Sequence, residues 1–244
     1  LADEIATALA TQPGLKLVLG HGSGSFGHVE AQKYGTHQGV DSPQEWHGFA
    51  QVWYQASRLN RLVMDALHEV GLDAVALPPS GAVTTRQGQV ACWNVSPMRA
   101  ALSAGLLPVV YGDVVFDQLM GGTILSTEDL FVYLARALHP SRILLAGQDR
   151  GVWRDYPACT ELLATITPAD WQDLAPALDG SANTDVTGGM ASKVETMLGL
   201  VQEIPGLEGV IFSGEQPGQV SAVLAGQTRG TRIKNEVDSS MLLH

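Results

Sequence analysis

Apolar residues recur along this chain in two rhythms. The first, a spacing of three to four, predicts helices. Leu1, Ile5 and Leu9 share one face ahead of Pro13-Gly14, and Trp46, Phe49, Trp53, Leu59, Val63 and Leu67 form a stripe over 44–70 that stops at Gly71. The second is a short run without polar interruption, the mark of a parallel strand covered on both faces. Such runs occupy 15–19 after Lys16, 74–77, 107–111, 142–146 and 209–212, and 90–93 reads as a further strand. Two extended pieces, 114–117 and 123–125, flank Met120-Gly121-Gly122 and predict a hairpin.

Polar residues mark where these elements start and stop. Ser96 followed by Pro97 predicts a helix start, with Gly105 as its stop. Ser126 opens another helix, whose first turn holds Glu128 and Asp129 ahead of Leu130, Leu134 and Leu138; the helix dipole favours acids there. Residues 36–43 read as a polar loop, 158–180 as a loop and a helix, and Gly230-Thr231-Arg232-Ile233 as the closing strand. Strand and helix alternate, which predicts an α/β fold with a mainly parallel central sheet. Because such a sheet normally places a strand before its first helix, the pattern also predicts a strand upstream of Leu1.

Composition narrows the function classes. A chain of 244 residues is long enough for one large α/β domain or two lobes, and an apolar content of 45% is that of a folded protein. Acids outnumber bases 25 to 14, a net charge of −11, which argues against a nucleic-acid-binding surface. No apolar run is long enough for a membrane helix and no signal peptide is visible, so a cytoplasmic protein is expected. Cys92 and Cys159 match no metal spacing and read as ordinary buried or half-buried thiols; no metal site is expected.

Candidate chemistry concentrates in two stretches. His21-Gly22-Ser23-Gly24-Ser25-Phe26-Gly27-His28 follows an apolar run and opens a helix. Its glycines let backbone approach a ligand closely, its N–H groups suit a phosphate, and His28 adds a donor that can carry charge near neutral pH. Gly22, Gly24 and Gly27 also fit the dinucleotide spacing G-x-G-x-x-G. That reading expects a second strand ending in an acid about twenty residues on, where this chain shows a helical stripe. A plain strand-to-helix connection is the other alternative. In the second stretch, Thr184-Asp185-Val186-Thr187-Gly188-Gly189-Met190-Ala191-Ser192-Lys193, a glycine pair opens a helix with Lys193 on its first turn, in a chain with four lysines. Asp149 sits past the 142–146 strand, at the edge where α/β sheets collect ligands. Two phosphate-type turns suggest two phosphate-bearing substrates and phosphoryl transfer.

Together with Gly112-Asp113-Val114-Val115, Asp117 and Gly230-Thr231, these stretches resemble the amino acid kinase superfamily and, within it, the isopentenyl phosphate kinase branch. The resemblance runs over 15–233, and Ser25-Phe26-Gly27-His28 is its most specific part. It implies an open αβα sandwich, ATP with magnesium carried by the nucleotide, and a homodimer. The acceptor phosphate would be bound by the half spanning 1–140 and ATP by the half spanning 141–244. It further implies that Gly22, Gly24, Gly27 and His28 bind the acceptor, that Ser23, Gly188, Gly189, Lys193 and Asp149 bind ATP, and that His28, Lys193 and Glu128 serve catalysis.

The chain departs from the family pattern at two points. A Lys-x-Gly-Gly-Ser strand expected before the first helix has no match, and Lys16 cannot replace it. Glu128 stands where the family usually has aspartate. Fosfomycin kinases share the histidine-ended turn, so a kinase for another small phosphate or phosphonate, or a non-catalytic small-molecule-binding domain, stays open as an alternative.

Overall fold

Pairing partners, more than hydrophobicity, decide which of the apolar runs become strands. The structure is a computed structural model and describes residues 1–179 and 189–235. Its helices are α1 (Ala2–Thr11), α2 (Gly24–Tyr34), α3 (Pro43–Glu69), α4 (Ser96–Ser103), α5 (Thr127–Leu138), α6 (Trp171–Asp179), α7 (Gly189–Glu203) and α8 (Gln219–Leu224). The strands are β1 (Leu19–His21), β2 (Ala74–Ala76), β3 (Val83–Arg86), β4 (Gln89–Trp93), β5 (Leu107–Tyr111), β6 (Asp113–Asp117), β7 (Gly121–Leu125), β8 (Arg142–Gly147), β9 (Thr165–Ile166), β10 (Glu208–Ser213) and β11 (Thr231–Lys234).

The chain divides into two compact units. One is built chiefly from Gln12–Tyr133. It contains a parallel sheet in the order β1-β5-β2 and a mixed sheet in the order β4-β3-β6-β7. Strand β5 is buried along its whole length because a neighbour pairs with it on each edge. The other unit holds Asp3–Thr11 and the chain from Leu134 onward, around a sheet in the order β8-β10-β11-β9. Helix α1 belongs to this second unit: Glu4 accepts the backbone N–H groups of Gly218 at 3.1 Å and Ser221 at 3.0 Å, at the start of α8. Those bonds hold its carboxyl below the usual range.

Several expectations need correction. The first strand is not 15–19 but Leu19–His21, since β5 offers partners only to Leu19, Gly20 and His21. Ser96 is not the cap of α4. Val95 holds that position, Ser96 lies inside the helix, and Asn94 Oδ1 accepts the Ser96 N–H at 3.0 Å. The 36–43 loop contains a 3-10 turn, Thr36–Gln38, with Thr36 and Val40 buried. Strands β3 and β9 and helix α8 were not expected at all. Cys92 is exposed and Cys159 half-buried, so the first is no buried thiol. Helix α3 runs almost where its stripe places it, but the buried face is Phe49, Val52, Ala56, Asn60, Met64 and Leu67, whereas Trp46 and Trp53 are exposed. Gly48 sets that phase. A Cβ there would overlap Tyr34, so α2 and α3 approach closely along the small residues and the large aromatics turn outward.

Candidate active site

Three strand ends meet at the carboxyl edge of the β1-β5-β2 sheet, where α/β folds expose backbone to ligands. β1 leads into the glycine-rich stretch, β5 into Gly112-Asp113, and β2 into Pro78-Pro79-Ser80. The glycine turn is shorter than its motif suggests, because α2 already begins at Gly24 and places Ser25, Phe26, Gly27 and His28 on the helix. Gly24 has φ of 52°, a left-handed conformation that glycine adopts without strain. The first backbone bond of the helix runs from Gly27 N to Ser23 O at 3.3 Å. The N–H groups of Ser23, Gly24, Ser25 and Phe26 therefore have no partner within the helix, and the helix dipole adds to their positive potential. That is a seat for an anion. Gly22 is exposed at its rim. Gly27 is glycine for another reason: a Cβ there would lie 2.5 Å from Ser23 Oγ, so the serine side chain packs over it. His28 is half-buried, four residues beyond Gly24 and hence on the same face of α2.

A polar group of side chains lies at the base of this turn. His21 Nδ1 is 2.9 Å from Gly22 O and its Nε2 is 3.1 Å from Asn60 Oδ1. The ring stacks on Tyr111 with centroids 5.4 Å apart and planes 10° from parallel. The His21 carbonyl accepts from Thr127 Oγ1 at 2.7 Å and from Gly112 N at 3.0 Å. Asp113, next in line, is buried. Its Oδ1 accepts the Val114 N–H at 2.8 Å, while Oδ2 has no hydrogen bond of good geometry. Burial pushes its carboxyl up to about 6, against the opposing pull of Ser80 and the Val114 N–H. Burial also raises the Tyr111 phenol; the Asp113 charge adds to this, and a hydrogen bond with Ser57 opposes it.

The large aromatic side chains of α3 lie away from the glycine turn. The middle of α3 adjoins the glycines, with Asn60 on His21 and Leu59 3.8 Å from the position of a Cβ on Gly24. The N-terminal end of α3 meets the far end of α2, where His47 packs edge-on to Tyr34 with ring centroids 5.8 Å apart. At about 1.5 Å per residue, Trp46 is roughly 20 Å along the helix from Asn60. Trp46 instead packs on Phe49, with centroids 5.3 Å apart, and on Phe116 at 6.1 Å. Trp53 and Tyr54 are exposed. On α5, Ser126 and Asp129 form the reciprocal cap, Ser126 Oγ accepting the Asp129 N–H at 3.0 Å and Asp129 Oδ2 accepting the Ser126 N–H at 3.2 Å. Glu128 takes no part in it. It is half-buried and follows Thr127, whose hydroxyl holds the turn.

In the second unit, Asp149 is exposed beyond the end of β8. Gly189, with φ of 67°, opens α7, and Lys193 is half-buried one turn further on. Gly188, like the Asp185-Val186-Thr187 segment before it, lies outside the described residues. Thr231, part of the family pattern, is a structural clamp: its hydroxyl donates to Leu163 O at 2.6 Å and accepts the Val152 N–H at 2.8 Å.

Asn60, Thr127 and Ser80 carried no sequence signal of their own as site residues. Asn60 interrupts an otherwise apolar helix face, and that interruption was the one available hint.

The amino acid kinase family model matches residues 1–213. The chain is 34% identical over 241 residues to the isopentenyl phosphate kinase of Methanothermobacter thermautotrophicus, covering 95% of this chain and 89% of that one. It is 35% identical over 206 residues to the isopentenyl phosphate kinase of Haloferax volcanii, covering 83% and 78%. A solved structure of an isopentenyl phosphate kinase superposes with a TM-score of 0.78 at 29% identity, over 96% of this chain and 90% of that one. The histidine-ended glycine turn at the sheet edge, the fold and the extent of these matches lead to one assignment: the chain belongs to the amino acid kinase family and, within it, to the isopentenyl phosphate kinases.

Proposed function

We propose that the protein transfers the γ-phosphoryl group of ATP to isopentenyl phosphate. The bond from the γ-phosphorus to the bridging oxygen breaks, an oxygen of the acceptor phosphate forms the new bond, and isopentenyl diphosphate and ADP leave. The observation that carries this reading is the start of α2, where four backbone N–H groups without helical partners share an edge with His28, in a chain whose relatives by name act on isopentenyl phosphate. In this reading the half spanning 1–140 holds the acceptor. The N–H groups from Ser23 to Phe26 form the seat, Gly22 and Gly24 shape its backbone, Gly27 lies against the Ser23 side chain, and His28 donates to an acceptor oxygen. The half spanning 141–244 holds ATP through Gly188, Gly189, Lys193 and Asp149, with Ser23 close to the transferred group and Glu128 acting on nearby cationic groups. The chemistry needs placement and positive charge rather than a covalent intermediate.

Magnesium belongs to this reading as a passenger on the triphosphate. Among the described residues no group of three or more His, Cys, Asp or Glu side chains is placed to hold it without the nucleotide. A cytoplasmic homodimer completes the proposal, testable by light scattering and by fractionation.

An acceptor panel with labelled ATP tests the reaction. Isopentenyl phosphate should be phosphorylated far faster than acetylglutamate, carbamate or UMP, and faster than fosfomycin. Equal or greater turnover of any of these would overturn the assignment, and saturable NADH binding that ATP does not displace would point back to a dinucleotide site.

A further inference from the structure

Both ring nitrogens of His21 face oxygen, Nδ1 toward the Gly22 carbonyl and Nε2 toward Asn60 Oδ1. A carbonyl only accepts, so Nδ1 carries a proton. Nε2 is then either protonated as well, with Asn60 accepting, or bare and bonded to an Asn60 amide turned end for end, since the two ends of an amide have the same shape. Under both arrangements Asn60 fixes the rotation of the ring, and the parallel face of Tyr111 fixes its plane. Asn60 is 8% exposed between Ala56 and Met64 on the buried face of α3, a place where an apolar residue would serve packing alone.

What the ring holds is a peptide plane. The carbonyl and N–H of a trans peptide point in opposite directions, so capturing the Gly22 carbonyl turns the Ser23 N–H away from the imidazole. Gly112 lies close by, where a Cβ would come 3.6 Å from Ser23 N. The preceding carbonyl, that of His21, is tied down by Thr127 and Gly112. Both carbonyls at the entry to the turn are thus committed to the protein, and the N–H groups are left for an anion.

We infer that His21 and Asn60 are positioning residues for the acceptor phosphate: Asn60 fixes the imidazole, and the imidazole holds the Gly22 carbonyl so that the Ser23 N–H is aimed at a phosphate oxygen. The inference rests on the proposed function for the identity of the phosphate, but the arrangement of the turn can be tested without it. Asn60→Leu keeps the burial and removes the amide. With one oriented hydrogen bond lost, KM for isopentenyl phosphate should rise about ten-fold while KM for ATP stays within about two-fold. Asn60→Asp, which can still accept from a protonated Nε2, should recover most of the loss. Titration with inorganic phosphate, followed by the Gly22 and Gly24 amide resonances, should show weakened binding in Asn60→Leu and near-normal binding in Asn60→Asp. If Asn60→Leu does not fold, the Asp variant and His21→Gln carry the test, the latter expected to weaken phosphate binding. An Asn60→Leu protein with unchanged KM and unshifted glycine amides would overturn the inference, as would an equal rise in both KM values alongside a lowered Tm. A wild-type protein that binds phosphate through these glycines yet does not phosphorylate isopentenyl phosphate would sink the proposed function and leave the positioning intact.

Discussion

Strand β6 has an aspartate at each end, and the two experience opposite surroundings. Asp117 accepts four backbone N–H groups: Oδ1 from Gln87 at 3.2 Å, Leu119 at 2.8 Å and Met120 at 2.9 Å, and Oδ2 from Gly88 at 2.9 Å. Burial works to raise its pKa, but these bonds and Thr85 outweigh it and hold the carboxyl well below the usual range. It ties the β3–β4 turn to the β6–β7 turn. Asp113, four residues earlier, has one oxygen on Val114 N and the other without a hydrogen bond of good geometry, and burial raises it to about 6 against the pull of Ser80. The first aspartate is charged because its surroundings are arranged for the charge. The second is held against that preference beside the glycine turn. Two acids of one family motif thus divide into a brace and a strained neighbour of the site, a distinction that residue type alone does not make.

The largest expected effect comes from removing the brace. Asp117→Ala leaves four backbone donors without their acceptor and should destabilise the protein by about 3 kcal/mol, lowering Tm by roughly 6–12 °C. The folded fraction should keep its KM values; a shifted acceptor KM with unchanged Tm would invert the comparison.

On the site side, His28→Ala should reduce kcat/KM for the acceptor by roughly ten- to a hundred-fold, about 1.5 to 3 kcal/mol, with KM for ATP barely moved. Normal kinetics with a lost Tm would make His28 a helix residue and nothing more.

Asp113 gives the opposite sign in stability. Its folded pKa, about 6, lies above the unfolded value near 4, so its favourable contribution is complete below pH 4 and is lost as pH rises through 6. Asp113→Asn should therefore stabilise the protein at pH 7 by up to about 3 kcal/mol and flatten the pH–stability curve between 4 and 6. Asp117→Asn should change the curve below pH 4 instead, because a lowered carboxyl lends stability that disappears as acid protonates it. Equal profiles for the two variants would erase the contrast.

The smallest effect separates Glu128 from its neighbour in the cap. Glu128→Gln should lower kcat about ten-fold, about 1.4 kcal/mol, with Tm nearly constant. Lost Tm with unchanged turnover would assign Glu128 to the helix dipole.

Much of this was legible in the sequence, and the failures share one cause. Helices α3, α5 and α7 could be read because their periodicity and caps are local. β1 was misplaced because its boundaries are set by β5, some ninety residues away, which pairs Gly20 and His21 although neither favours strands. β3 was missed although Val83 and Thr85 alternate with exposed residues, since Thr85 is buried through a partner strand that the segment itself does not reveal. The glycine turn is legible from its motif, yet Asn60 and Thr127, which hold it, reach it only through tertiary contact. Asp113 and Asp117 stand in the sequence as one pattern, and only their bonding partners separate them.

The two bonds from Gly218 and Ser221 to Glu4 join residues 214 and 217 positions apart. At a synthesis rate of about 5–20 residues per second, α1 leaves the ribosome on the order of ten to forty seconds before its partner exists. Within Gln12–Tyr133, a continuous segment, the wait is shorter: β1 meets β5 after some ninety residues. For that interval α1 is an amphipathic segment without a dock, and the order of translation makes it late to settle.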